Sequence, residues 1–187
     1  MTEGTAKFFL LQVNDALFPI GGYSHSYGLE TYIQKGLVHD EDSAEEFIHK
    51  RLEYNFLYNE FLAVRLGWEY AVSGDLTAIS RLEEIMEAGK IPRETREASR
   101  KLGSRFIKTL SALEIPRENR VFEEYREARK GKSVHHAVAY GVFCGAAGIT
   151  REEALEHFLY AQTSAMVTNC VKTIPLSQSS GQKLLSG

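Results

Sequence analysis

The chain has 187 residues, a formal net charge of −3 and a pI near 6.1. That is long enough for one sizeable core, and it lacks the basic balance of a dedicated nucleic-acid binder. Two cysteines, Cys144 and Cys170, support neither a disulfide framework nor a zinc site and point to a reducing, cytoplasmic setting. The start Met-Thr-Glu-Gly lacks the basic residues of a secretory signal, and no apolar run reaches the ~18 residues of a bilayer span, so no membrane role is expected.

No Pro/Gly/Ser-rich linker divides the sequence, so one domain over 1–187 is expected. Thr5 to Leu17 is a dense apolar run, with Phe8, Phe9, Leu10, Leu11, Val13, Ala16 and Leu17, and predicts a mostly buried first helix. Pro19 fixes φ and lacks an amide donor, so that helix is expected to stop there. Gly21 and Gly22 permit a turn. After them Tyr23, His25, Ser26, Tyr27 and Glu30 crowd five polar-tipped side chains onto one short segment. The stretch Leu17 to Glu30 reads either as a helix-turn-helix corner with half-buried tyrosines and a Ser24 or Ser26 cap, or as a binding surface. It is not a phosphate-binding loop, because Tyr23 follows Gly22 where a Lys beside a Ser or Thr is needed. It is not a hydrolase elbow, because neither Ser24 nor Ser26 has a glycine two residues away on both sides.

Glu30 to Lys35 continues a second helix that Gly36 is placed to end. Ser43 with Glu46 has capping-box spacing and predicts the start of the longest helix. Its stripe Ile48, Leu52, Phe56, then Leu62, Leu66 and Tyr70, runs to the break at Ser73, Gly74 and Asp75. Asp75 predicts the cap of a helix through Leu76, Ile79, Leu82 and Ile85, closed by Gly89. The tetrapeptide Ile-Pro-Arg-Glu occurs at 91–94 and 115–118, each copy with the chemistry of a helix start. Between them Arg93, Arg96, Arg100, Lys101, Arg105 and Lys108 face only Glu94 and Glu97. That run is either a solvated helix face or a docking surface for an acidic partner.

Val134 to Gly148 is rich in Ala and Gly, which let helix backbones approach closely, and it predicts the central helix. Thr150 with Glu153 is a second capping box, opening a long helix that Pro175 stops. Gln162, Thr163, Ser164, Thr168 and Asn169 interrupt its apolar character and imply internal hydrogen bonds or a wet passage. Ser177 to Gly187 restarts a helix. The whole predicts an all-α bundle of about eight to ten helices. None of the six histidines has a partner at the i, i+3 or i+4 spacing of a helical metal site. The adjacent pair His135 and His136 reads as hydrogen-bonded structural groups near a helix start. No nucleophile, base and orienter assemble from spacing, so no catalytic residues, metal site or cofactor is assigned.

Three blocks in order resemble a known family. FLLQVNDALFPIGGYSHSYGLETYIQ, HHAVAYGVFCGAAGI and YAQTSAMVTNCVKTIPLSQSSGQKLL are similar to the N-terminal, middle and closing blocks of the urease accessory protein UreF. The resemblance implies a non-enzymatic helical scaffold that couples a GTPase and a second accessory protein of the UreD/UreH type to nickel insertion into apo-urease, whose active-site lysine is carbamylated in the process. It implies a homodimer, which an excess of aromatics, 10 Phe and 9 Tyr, also favours. Partner-binding residues carried over or adjacent to the matching motifs are Phe18, Pro19, Tyr23, His25, Ser26, Tyr27, Glu30, Lys172, Gln178 and Gln182. Lys172, just before Pro175, either caps its own helix end or contacts the GTPase. The family continues past the Gly-Gln pair where this sequence stops at Gly187, so binding that depends on such a tail is not expected of it. The alternative is a helical nickel carrier using His25 or the His135/His136 pair.

Overall fold

The computed structural model describes residues 3–22, 26, 28–113 and 115–187. Among them there is no strand; ten α-helices pack as an all-α bundle. Helix α1 spans Glu3–Asn14 and α2 Leu29–Gln34. A continuous rod follows, made of α3 (Glu41–Arg51), a π-helical segment (Leu52–Phe61) and α4 (Leu62–Ser73). Next come α5 (Leu76–Gly89), α6 (Arg93–Ala112), α7 (Val121–Ala128), α8 (His136–Ala146), α9 (Arg151–Thr173) and α10 (Gln178–Ser186).

The Ala/Gly-rich helix is central, as its composition implies: every residue of α8 from Ala137 to Ala146 is buried. It lies against α4 at backbone contact. A Cβ on Gly141 would stand 2.2 Å from the Val64 carbonyl oxygen and one on Gly145 2.8 Å from that of Trp68. This is the small-residue route to close helix packing. Around it a larger core gathers α1, α4, α5, α6, α7 and the first half of α9. A smaller core is built from Leu29, Val38, Ile48, Phe56, Cys170 and Leu184, beneath α2, α3, the end of α9 and α10. Phe61 packs against both.

Several expectations change on contact with the fold. Helix α1 is buried along one edge only, through Leu10 and Val13, whereas Phe8, Leu11 and Leu17 are exposed. Among the described residues, its outer face is left open at Phe8 and Leu11. The rod opens with a capping box on Asp40, whose carboxylate accepts the Ser43 N–H at 3.0 Å; Glu46 instead pairs with Lys50. In the second half of the rod the buried face is Ala63, Val64, Gly67 and Ala71, and Leu62 is exposed. The i→i+5 pattern of the π segment turns the helix less per residue, so an α-helical stripe cannot be carried through it. Ile85 is likewise exposed, with Glu83 and Met86 inside. The first Ile-Pro-Arg-Glu copy leads directly into α6, but the second does not start a helix. The Glu118 N–H donates to the Ala146 carbonyl at 2.8 Å, tying the segment to the end of α8, and α7 begins at Val121 under Asn119.

Candidate partner-binding surfaces

The corner after α1 is held by local and long-range hydrogen bonds. The Asn14 amide donates to the Leu10 carbonyl at 2.8 Å and to the Tyr140 hydroxyl at 2.9 Å, while the Leu17 N–H is accepted by Asp15 Oδ1 at 2.7 Å. Arg105 on α6 donates to the Ile20 carbonyl at 3.1 Å. Phe18 is buried, its ring edge-on to Phe106 with centroids 6.0 Å apart, so it supports the corner from inside while also reaching the wall of the groove beside it. Pro19 stays exposed. With Phe8, Leu11, Leu17, Thr109 and Leu113 it lines a largely apolar groove of about 520 Å³ between α1 and α6.

Tyr23, His25 and Tyr27 lie outside the described residues. Ser26 donates its hydroxyl to the Glu30 carboxylate four residues on, so these two polar groups engage each other. Both line a second groove, of about 690 Å³, that runs from α2 past Arg51 to the start of α6. Lys172 lies in the last turn of α9, exposed, where a cation is favoured by the helix dipole. Gln178 and Gln182 are exposed one turn apart on α10, which approaches α9 closely at Gly181; a Cβ there would be 2.7 Å from Val171. The expected site residues therefore divide. Phe18 and Pro19 belong to the larger core and its α1–α6 edge, while Glu30, Lys172 and the glutamines surround the smaller core.

The basic run on α6 is mostly engaged by its own neighbours. Arg93 pairs with Glu97 at 2.7 Å, Arg96 donates to the Lys90 carbonyl at 2.9 Å, and Arg100 clamps Glu87. The clamp chiefly, with help from His135, holds the Glu87 carboxyl down to about 2. His135 caps α8 with its ring spent on both sides, Nδ1 3.0 Å from Ser99 Oγ and Nε2 3.1 Å from Glu87. Burial pushes it down to about 4, and neither nitrogen is left for a metal ion. His136 differs from the expectation. It packs among Phe106, Tyr140 and Phe158 with Nε2 buried and without a hydrogen bond, and burial alone lowers it to about 4. Gln162 joins it in lining two small cavities of about 40 and 20 Å³, one below the corner and one beside Glu60 and Lys90.

Spacing alone gave no sign of two buried charge sites. Glu83 accepts from the Tyr125 hydroxyl and from the His135 N–H at 2.9 Å, and burial raises its carboxyl to about 7. Glu60 and Lys90 form a buried ion pair between the rod and the end of α5. The only available signal was an acidic residue at a core-facing helical position. Among the described residues no group of three or more His, Cys, Asp or Glu side chains is placed to hold a metal ion, and no helix is long and apolar enough to cross a membrane.

The UreF family model matches residues 38–187. Urease accessory protein UreF of Actinobacillus pleuropneumoniae serotype 5b (strain L20) is 34% identical over 178 residues, covering 94% of this chain and 77% of the relative. The protein of the same name from serotype 3 (strain JL03) matches to the same extent. The family model covers the middle and closing blocks and all the helices from α3 to α10, and with relatives 34% identical over 94% of the chain this means that the chain belongs to the UreF family.

Proposed function

We propose that the chain is a non-enzymatic scaffold in urease maturation, which brings a GTPase and a second accessory protein to apo-urease while nickel, the cargo, is inserted. The observation that carries the reading is the family match over 38–187, with relatives named as urease accessory proteins. The geometry supports it in kind. The polar clusters near α8 are internal and structural, whereas the exposed features are grooves and helix faces suited to protein contacts. The chain acts as a homodimer and binds partners through the α2 side and the α9–α10 end, with Lys172 on the GTPase.

Co-purification of the chain with the two accessory proteins and apo-urease, followed by nickel-dependent activation of the urease, tests this. Activation that proceeds equally well without the chain refutes it. Lys172→Glu tests the GTPase contact. Loss of about 2–5 kcal/mol of binding, with the melting temperature unchanged, is expected for a charge pair buried at an interface.

A further inference from the structure

We infer that the two small cavities beside His136 and Gln162 are a built hydration site, in which fixed waters are bound and one of them, in the smaller cavity, bridges His136 Nε2 to Glu60 Oε2. These two atoms are both buried without a hydrogen-bond partner. Their residues come from α8 and from the π segment, yet both line the same cavity of about 20 Å³. An unpaired polar atom is costly to bury, so two of them beside one small space call for a shared partner.

The walls select the occupant. The other oxygen of Glu60 accepts from Lys90, which also lines this cavity, so a further cation would meet the Lys90 ammonium and an anion the Glu60 carboxylate. A neutral group is required, and Glu60 Oε2 requires that it donate. His136 is uncharged at neutral pH, because burial pushes it down to about 4, and its Nε2 is then either a bare acceptor or an N–H donor. Only a molecule that both donates and accepts serves either tautomer. Size then leaves water: one water needs roughly 10–15 Å³ of such space, so the 20 Å³ cavity takes one and the 40 Å³ cavity about two or three.

Gln162 gives the site its mark in the sequence. It stands on α9 between the buried Phe158 and Ala165, where helical spacing calls for an apolar side chain, and it lines both cavities instead. Thr95 and Ser99 on α6 add two hydroxyls to the wall of the smaller one, so a water there has partners for the ~3 hydrogen bonds that buried waters make.

A crystal structure of the full chain, at a resolution that shows ordered solvent, tests the site. A solvent peak ~2.7–3.2 Å from both His136 Nε2 and Glu60 Oε2 is expected, with further peaks in the larger cavity. In solution, water magnetic relaxation dispersion counts the waters held longer than the protein tumbles. His136→Phe should lose at least one of them, whereas His136→Gln, which keeps a donor and an acceptor, should retain it. Dry cavities, a direct bond between Nε2 and Oε2, or a parental count in a folded His136→Phe protein overturns the bridge. A peak that is replaced when potassium in the crystal is exchanged for rubidium would assign a cation and overturn water. If His136→Phe does not fold, the map of the parent and the count in His136→Gln decide.

Discussion

Gly141→Ala adds one methyl group where α8 touches α4, and the structure sets its sign. The new Cβ would sit 2.2 Å from the Val64 carbonyl oxygen and 3.0 Å from the Trp68 nitrogen, against about 3.4 Å for ordinary contact. Both neighbours are backbone of a rod buried along this face, so no side chain can swing away. The rod and α8 must separate by roughly 1 Å along a seam that also holds Gly67 and Gly145. Overpacking of that kind costs ~1–3 kcal/mol. The better helix propensity of Ala returns ~0.5–1 kcal/mol, leaving a net loss of up to ~2.5 kcal/mol. The same exchange at Gly4, inside α1 with nothing within 4 Å of the new methyl, keeps only the gain. Thermal denaturation of both variants is the assay. At ~2–4 °C of melting temperature per kcal/mol for a chain of this size, the two should move in opposite directions from the parent. A Gly141→Ala protein as stable as the Gly4→Ala protein would refute the account of α8 as the tightly packed centre.

Three further outcomes are expected. Glu83 has a folded pKa of about 7 against an ordinary 4.5, so the fold prefers its protonated form. Its contribution is fully present below pH 4.5 and is lost as pH rises through 7, on the order of 3 kcal/mol. Glu83→Gln, whose amide can donate to Tyr125 and accept from His135, should flatten denaturation midpoints measured between pH 5 and 8; an unchanged slope counts against it. His135 and His136 work in the other direction, since burial depresses both to about 4 from 6.5 and their contribution disappears as pH falls through that range. His136→Phe, in its aromatic surroundings, should lower the midpoint of acid unfolding, and an acid midpoint equal to the parent's would show that His136 does not titrate with unfolding. For the buried pair, Lys90→Ala should cost ~3–5 kcal/mol by stranding Glu60, while the double change Glu60→Leu with Lys90→Met should cost far less. Equal losses in a double-mutant cycle would mean that the pair is solvated.

Much of this architecture is legible in the sequence because it is written in local chemistry. Thr150 and Glu153 cap α9 as their spacing implies, Asp75 caps α5 through the Ala78 N–H, and the small residues of α8 announce a close helix contact. What was illegible depends on partners distant in the chain. Phe8 and Leu11 have the composition of a core helix, yet nothing in the chain says that α1 packs by one edge. The π segment changes the phase of the rod without any glycine or proline to mark it. Arg96 and Arg100 look like a free basic face until Glu87, on the preceding helix, comes within reach. The motif residues Phe18 and Pro19 stand on one wall of the α1–α6 groove, but its other wall, Thr109 and Leu113, was not legible because it comes from a helix about ninety residues away.

The presence of two cores sharing long elements has a thermodynamic consequence. The smaller one buries ten of the described residues and is closed by the short helices α2 and α10, so it can open while α8 and its neighbours stay folded. Phe61, edge-on to Phe158 and also against Phe56, is where the two meet and is the contact that such an opening would break. Native-state hydrogen exchange should then show two foldons. Amides of α2, α10 and the last turns of α9 would exchange through a low-energy subglobal opening, and those of α4 and α8 only through global unfolding. A chain divided in this way can remodel one end without spending the stability of the other.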